Sequence, residues 1–435
     1  MSRCNALMIA APASGQGKTT VVAGLARHLR NQGQRVRVFK MGPDFIDPMI
    51  HERASGAPVY QLDAWMMGED HCRALLAEAA RECDWILLES VMGLYDGQPS
   101  SAEFSRRFQI PVALLIDGSA MAQTFGALAF GLSQYQNLNC AGVIANKVNS
   151  AGHATLLRES LPGNLHWIGH LPTEPAIALP ERHLGLVTAA EIDELETKLD
   201  ACARWIDSAG LHLPVAGWNS EAAAGPFSPG NALQGVRIAV ARDDAFCFLY
   251  QANLRFLQQA GAHLAFFSPL QDRTLPDADA LYLPGGYPEL HLAKLADNST
   301  LQAEIRAHFL ADKPIVAECG GLLYLLETLA NPEGKEAPMV GLIAGQGRVN
   351  AKLSGIGMHA LPLPEGEIRG HAFHYGEWLN GPAPELLTTP ARSFGRGETV
   401  HRDRRLTASF THWYFPSSPA VISRWFCPEA PSATL

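Results

Sequence analysis

Two distant stretches of the chain carry residue types that could do chemistry. In KPIVAECGGLLYLLE (313–327), an apolar run meets Glu318, then Cys319, then Gly320 and Gly321, then an apolar stretch that reads as a helix. A thiol on such a strand-to-helix turn has the setting of a nucleophile elbow. The reading places it exposed at the sheet edge, with its pKa lowered by a helix N-terminus. In LPGGYPE (283–289), a second glycine pair follows a neighbouring strand and could aim backbone N–H groups at an oxyanion. Candidate bases are His371 and His374 in RGHAFHYG and His412 in ASFTHWYF.

The second stretch, APASGQGKTT (11–20), matches the later half of the phosphate-loop pattern through Gly17, Lys18 and Thr19. Pro12 replaces the first glycine, and Gly15 lies inside the loop. With a strand before it and a helix after it, the loop's backbone N–H groups would hold phosphates. Lys18 would reach the outer phosphates, and the Thr19 hydroxyl would ligate Mg²⁺. Acidic residues at other strand ends fit the same site. They are Glu89 and Asp96 in ESVMGLYDG, and Asp44 and Asp47 in the loop KMGPDFIDP. Oxygen ligands suit Mg²⁺.

These residues need a scaffold. ALMIAA, RVRVFKM, CDWILLES (83–90), PVALLID (111–117) and CAGVIANKV (140–148) read as strands, with KTTVVAGLARHLRNQG and CRALLAEAARE as helices between them. The rhythm predicts a doubly wound parallel α/β sheet. A helical, polar stretch near 188–212 leads to the Gly/Pro/Ala/Ser-rich GWNSEAAAGPFSPGNALQG. The expected division is a first α/β domain carrying the phosphate loop at 1–216, a linker at 217–234 and a second α/β domain at 235–435. In the second domain VRIAVAR, AHLAFFSP, ADALYLPGG and KPIVAEC read as strands, and the part beyond 340 as strands and loops.

Composition narrows the classes. The chain has 435 residues, enough for two cores, and a formal net charge of −9, which disfavours nucleic acid as the main ligand. Eight scattered cysteines include no CxxC pair, which argues against a zinc ribbon or thioredoxin-like site and for a reducing compartment, the cytoplasm. No run of about 18 apolar residues suggests a membrane span. The short apolar run after Arg3 reads as a first strand and not as a signal peptide.

In chain order APASGQGKTT, KMGPDFIDP, ESVMGLYDG, LPERHLGLV, LPGGYPELH, AECGGLLYLLE and SFTHWYF closely resemble the cobyrinic acid a,c-diamide synthase family, including its hydrogenobyrinic acid counterpart. The resemblance covers nearly the whole chain. It implies an N-terminal ATP domain like dethiobiotin synthetase and a C-terminal class I (triad-type) glutamine amidotransferase. It implies Cys319 as nucleophile, His412 as its activator, and Gly286 and Gly320 flanking the oxyanion hole. Gly15, Gly17, Lys18, Thr19 and Thr20 would cradle ATP, and Asn146 would contact adenine. Thr19, Asp44 and Glu89 would lie at Mg²⁺. Asp44, Asp47 and Asp96 match acidic positions of the synthetase chemistry, and Arg182 and His183 are candidates to hold a corrin polycarboxylate. Glutamine would supply ammonia, and an acyl phosphate would activate each substrate carboxylate. A homodimer stays open.

The chain departs from the pattern at Tyr414, where many related amidotransferases have a Glu two residues after the histidine, so what orients His412 is open. Ala372 also stands where Glu is expected, and His371 and His374 take a structural reading. Rival readings are a cobyric acid synthase, a nickel-sirohydrochlorin a,c-diamide synthase, and a ParA-like ATPase switch with an inert second domain.

Overall fold

A computed structural model describes residues 4–177, 189, 192–214, 217–218, 229–392 and 395–428. The chain divides into two compact units, Met1–Phe227 and Ser228–Leu435. Each is described by itself.

The first unit is built on strands β1 (Cys4–Ala10), β2 (Val36–Met41), β3 (Tyr60–Leu62), β4 (Trp85–Glu89), β5 (Val112–Asp117), β6 (Cys140–Asn146), β7 (Trp167–Leu171) and β8 (Gly217–Trp218). The order β3-β2-β4-β1-β5-β6-β7 is parallel throughout, with β8 antiparallel to β1. The strands are continuous apolar runs because helices cover both faces of a parallel sheet. Leu7, Ile9, Val38, Leu87, Leu115 and Ile144 pack against Val21, Val22 and Leu25 of the helix Lys18–Asn31. Register sets Lys40 of β2 beside Glu89 of β4, and Glu89 beside Ile9 of β1. The charged ends of two strands thereby meet the start of the phosphate loop, where open α/β sheets bind ligands.

The second unit repeats the arrangement with β9 (Arg237–Ala241), β10 (His263–Phe267), β11 (Ala280–Leu283) and β12 (Ile315–Glu318). The order is β10-β9-β11-β12, followed by Leu406–Ser409 parallel to β12 and then the antiparallel strands Thr399–Asp403 and Leu386–Leu387. Ala239, Leu281, Leu283, Ile315, Ala317, Leu406 and Ala408 form the core. The described residues form two further four-stranded sheets, one of which pairs Gly366–His374 with His412–Trp413.

Three local expectations are corrected. The helix after Cys319 ends at Leu325, since Leu326 turns extended and pairs with Ile343. The part beyond 340 includes a helix, Pro419–Phe426, whose Val421, Ile422, Trp425 and Phe426 are buried at helical spacing. Asp47 lies in the first turn of the helix Ile46–Ser55, not in a loop. There its carboxylate favours the N-terminal end of the helix dipole.

Candidate active sites

In the first unit the phosphate loop is shaped by its glycines. Gly17, the cap of the helix Lys18–Asn31, has φ +89°, and Gly15 has φ +76°. A Cβ on Gly17 would lie 2.7 Å from Asn146 Nδ2, so a side chain is excluded both by conformation and by space. Asn146 Nδ2 donates to the carbonyl of Gln16 at 2.8 Å, and Gln16 Oε1 accepts from the Asp117 N–H at 2.9 Å. The ends of β5 and β6 thus brace the loop, and Asn146 lies directly against it. Thr20 is half-buried in the first turn of the helix.

Lys18 Nζ donates to the carbonyls of Ala13 (3.1 Å) and Met92 (2.7 Å). Burial, the largest influence, pulls its pKa below the ordinary lysine value, and Glu89 opposes this. Thr19 Oγ1 donates to Glu89 Oε1 at 2.9 Å. The loop after β4 folds back on this cradle. The Leu94 N–H donates to the Ala11 carbonyl at 2.8 Å, and Asp96 Oδ2 accepts from the Gly93 N–H at 2.8 Å. Asp96 therefore holds this loop in shape. Asp44 Oδ1 accepts from the backbone N–H groups of Ile46 (2.8 Å) and Asp47 (3.2 Å), so it caps the helix that carries Asp47.

Lys40 organises these acids. Its ammonium lies 2.5 Å from Asp47, 2.9 Å from Glu89 and 3.7 Å from Asp44. Burial alone would lower the lysine's pKa, but the three carboxylates more than offset it and hold it above the ordinary range. Burial likewise works to raise Glu89, yet Lys40 and His51 keep that carboxyl well below the usual range. His51 is fully buried, and its Nε2 lies 2.5 Å from Glu89 Oε2. Glu89 therefore spends one oxygen on Thr19 and Lys40 and the other on His51. It is placed to orient the Thr19 hydroxyl, and its own oxygens are already engaged. Among the described residues no group of three or more His, Cys, Asp or Glu is arranged to hold a metal ion.

In the second unit Cys319 sits at the turn after β12 with φ +46° and ψ −103°, a conformation sparsely populated by non-glycine residues. Its N–H donates to the Ser409 carbonyl at 2.8 Å. The expectation of an exposed thiol with a lowered pKa is overturned. Cys319 is buried, and burial, reinforced by the charge of Glu289, pushes the thiol well above the ordinary cysteine range. The Gly320 N–H at the start of the following helix works to lower it, and burial outweighs that.

Three glycines let the groups close in. A Cβ on Gly285 would lie 2.3 Å from His412 Cε1 and 3.3 Å from Cys319 Cβ, so the side chains of both residues border that glycine. A Cβ on Gly320 would meet the Gly286 nitrogen at 3.0 Å, and one on Gly286 would meet the Ala245 carbonyl oxygen at 2.2 Å. The turns after β11 and β12 therefore lie backbone to backbone beside the thiol. His412 is buried and kept neutral by that burial. His371, its cross-strand partner, stacks on it with ring centroids 5.0 Å apart, and its Nδ1 lies 2.7 Å from Tyr250 Oη. His374 is farther along the strand, with Nδ1 2.8 Å from the Gly376 carbonyl and Nε2 3.3 Å from Glu398.

Arg182 and His183 lie outside the described residues. Sequence reasoning missed Lys40, His51 and Gly285. Lys40 and His51 had a usable signal, a charged or polar residue in an otherwise buried element, which requires a partner. Gly285 had none beyond its place in a glycine pair.

Residues 7–187 match the CobQ/CobB/MinD/ParA nucleotide binding domain, and residues 237–420 match the CobB/CobQ-like glutamine amidotransferase domain. The chain is 55% identical to a hydrogenobyrinate a,c-diamide synthase of Stutzerimonas stutzeri, over 97% of this chain and 98% of the relative. It is 52% identical to a protein of the same name from Pseudomonas aeruginosa, over 98% of both. It is 47% identical to a cobyrinate a,c-diamide synthase of Herminiimonas arsenicoxydans, over 97% of both.

Proposed function

The chain belongs to the hydrogenobyrinate and cobyrinate a,c-diamide synthase family, and on that premise we propose how its two units divide one amidation. It is a glutamine-hydrolysing amidotransferase with a nucleotide-binding domain, and its reaction is amidation in cobalamin biosynthesis. The substrate is hydrogenobyrinate or cobyrinate, amidated at the a and c carboxylates.

Cys319 attacks the side-chain amide carbon of glutamine, and His412 takes the thiol proton and returns it to the leaving ammonia. The thioester left on Cys319 is then hydrolysed to glutamate. The backbone N–H groups of Gly286 and Gly320, on turns that lie close together, would stabilise the oxygen on which negative charge develops. Burial holds the thiol above the ordinary cysteine range, so a neighbouring base favours its attack.

In the other unit the cradle Gly15–Thr20 fits the phosphates of ATP, and the Thr19 hydroxyl, aimed by Glu89, fits Mg²⁺. ATP supplies the phosphoryl group that turns a substrate carboxylate into an acyl phosphate, from which ammonia can displace phosphate. Lys18 holds phosphate charge, and Lys40 keeps Asp47 and Glu89 in place beside it. Asp44 fixes the helix that carries Asp47. Eight free cysteines fit a reducing compartment, the cytoplasm. No helix among the described residues is long and apolar enough to cross a membrane.

The observation that carries this reading is that the side chains of Cys319 and His412 both border Gly285 in a chain that also builds a phosphate cradle. The test is a mass spectrum after incubation with ATP, Mg²⁺ and glutamine, with hydrogenobyrinate and cobyrinate in separate tubes. Two carboxylate-to-amide conversions in one tube support the reading and identify the ring. Conversion in neither tube by a protein that still hydrolyses ATP would overturn it.

A further inference from the structure

We infer that Glu318, the residue immediately before Cys319, is the positioning residue of His412 and takes the role that Tyr414 leaves vacant. The inference rests on the reading of Cys319 and His412 as the glutaminase pair.

Glu318 closes β12, a strand whose residues are all buried. A carboxylate in such a strand is costly unless it is held for a purpose. Its Oε2 accepts from Tyr282 Oη at 2.9 Å and lies 3.9 Å from His412 Nδ1, while its Oε1 accepts from the Trp413 N–H at 3.1 Å. One carboxylate thus grips the backbone just after His412 and faces one nitrogen of its ring. At 3.9 Å the contact is electrostatic and not a hydrogen bond. It gains weight when His412 takes the thiol proton, because opposite charges attract strongly where water is excluded. It also leaves the other ring nitrogen as the one available to the thiol.

Tyr414 cannot serve in this way. It carries no carboxylate, and its ring packs edge-on against Tyr250 at 5.8 Å. Two rings that pack against His412 are His371, stacked at 5.0 Å and neutral through burial, and Phe248 at 6.0 Å. Neither supplies negative charge. Burial pushes Glu318 up to about 8, and the hydrogen bonds it accepts from Tyr282 and from the Trp413 N–H work against that rise by favouring its charged form.

The experiment measures glutamate release from glutamine by the full chain as wild type, E318Q, E318D and C319A. Nitrogen NMR of labelled protein, with His412 assigned through H412Q, reads the ring directly. The expected result is a loss of kcat in E318Q of roughly a hundred-fold or more, with KM for glutamine little changed. E318D should recover part of that loss, and the His412 ring-nitrogen signals should move in E318Q. Wild-type turnover in E318Q overturns the inference, and so does lost turnover with unmoved His412 signals, which would make Glu318 a scaffold residue only. If E318Q does not fold, E318D decides on the same two readouts. If C319A still hydrolyses glutamine, the glutaminase pair itself is wrong. An inactive C319A beside a fully active E318Q removes the present inference alone.

Discussion

Thr19 Oγ1 donates its hydrogen to Glu89 Oε1 at 2.9 Å, tying the first turn of the phosphate-loop helix to the end of β4. With its hydrogen committed, the hydroxyl presents lone pairs to an oxygen-seeking cation. Glu89 can fix that direction because Lys40 and His51 hold it from two other sides.

Thr19→Val should therefore weaken the synthetase half only. Amidation with free ammonia should fall by about 10–100-fold, the range for loss of an orienting contact at a metal, and should demand more Mg²⁺. Glutamate release from glutamine should persist. Amidation by the variant at wild-type Mg²⁺ dependence would show that the hydroxyl has no part in holding the cation.

Lys40→Met removes the cation that Glu89, Asp47 and Asp44 share, with the lysine side chain 5% exposed and that of Glu89 1%. Breaking a buried ion pair from one side costs about 3–5 kcal/mol, since the partner charge stays buried. The first unit should unfold at a clearly lower denaturant concentration, with ATP-dependent turnover lost as well. Unchanged unfolding would mean that water or local rearrangement replaces the ammonium.

The legible and illegible parts of this protein separate by range. Helix Lys18–Asn31 and strands such as Val112–Asp117 and Cys140–Asn146 announce themselves through local apolar pattern and glycine punctuation. Cys319 and Gly17 are visible for the same reason, as each stands at a strand-to-helix turn. Lys40 looked like one residue of an alternating strand, because its meaning lies in β2 pairing with β4 and setting it beside Glu89. The burial of the Cys319 thiol is illegible for a related reason. Its exposure depends on turns that arrive from residues 283–289 and 409–412, and short-range pattern does not reveal how deeply they bury it. The apolar stretch after Gly321 reads as a longer helix than it forms because strand pairing of Leu326 with Ile343 is a tertiary decision.

Gly285→Ala tests the packing of the thiol site. The added Cβ would fall 2.3 Å from His412 Cε1, and His412 is too buried to step aside. Overpacking of this kind costs about 1–3 kcal/mol and displaces the ring from the thiol. Glutamine-dependent amidation should be lost while ammonia-dependent amidation remains. If glutamine hydrolysis survives in the variant, His412 does not work from this position.

The second unit should also be sensitive to acid, through histidines held neutral. Burial pulls His308 down to about 4 and His371 down to about 3. In the unfolded chain both titrate near 6.5. Their folded values are depressed, so their contribution to stability is complete above about pH 6.5 and is lost as pH falls toward 4 and 3. Below pH 6.5 the unfolded chain binds protons that the folded chain refuses, and each histidine can remove up to about 1.4 kcal/mol per pH unit. Denaturant midpoints between pH 7 and pH 5 should therefore decline. His308 Nε2 faces the Pro314 carbonyl at 3.2 Å, so His308→Gln can keep a donor there without a titrating ring. That variant should show a shallower decline than wild type, and an equal slope would mean that His308 takes up its proton in the folded protein as readily as in the unfolded one.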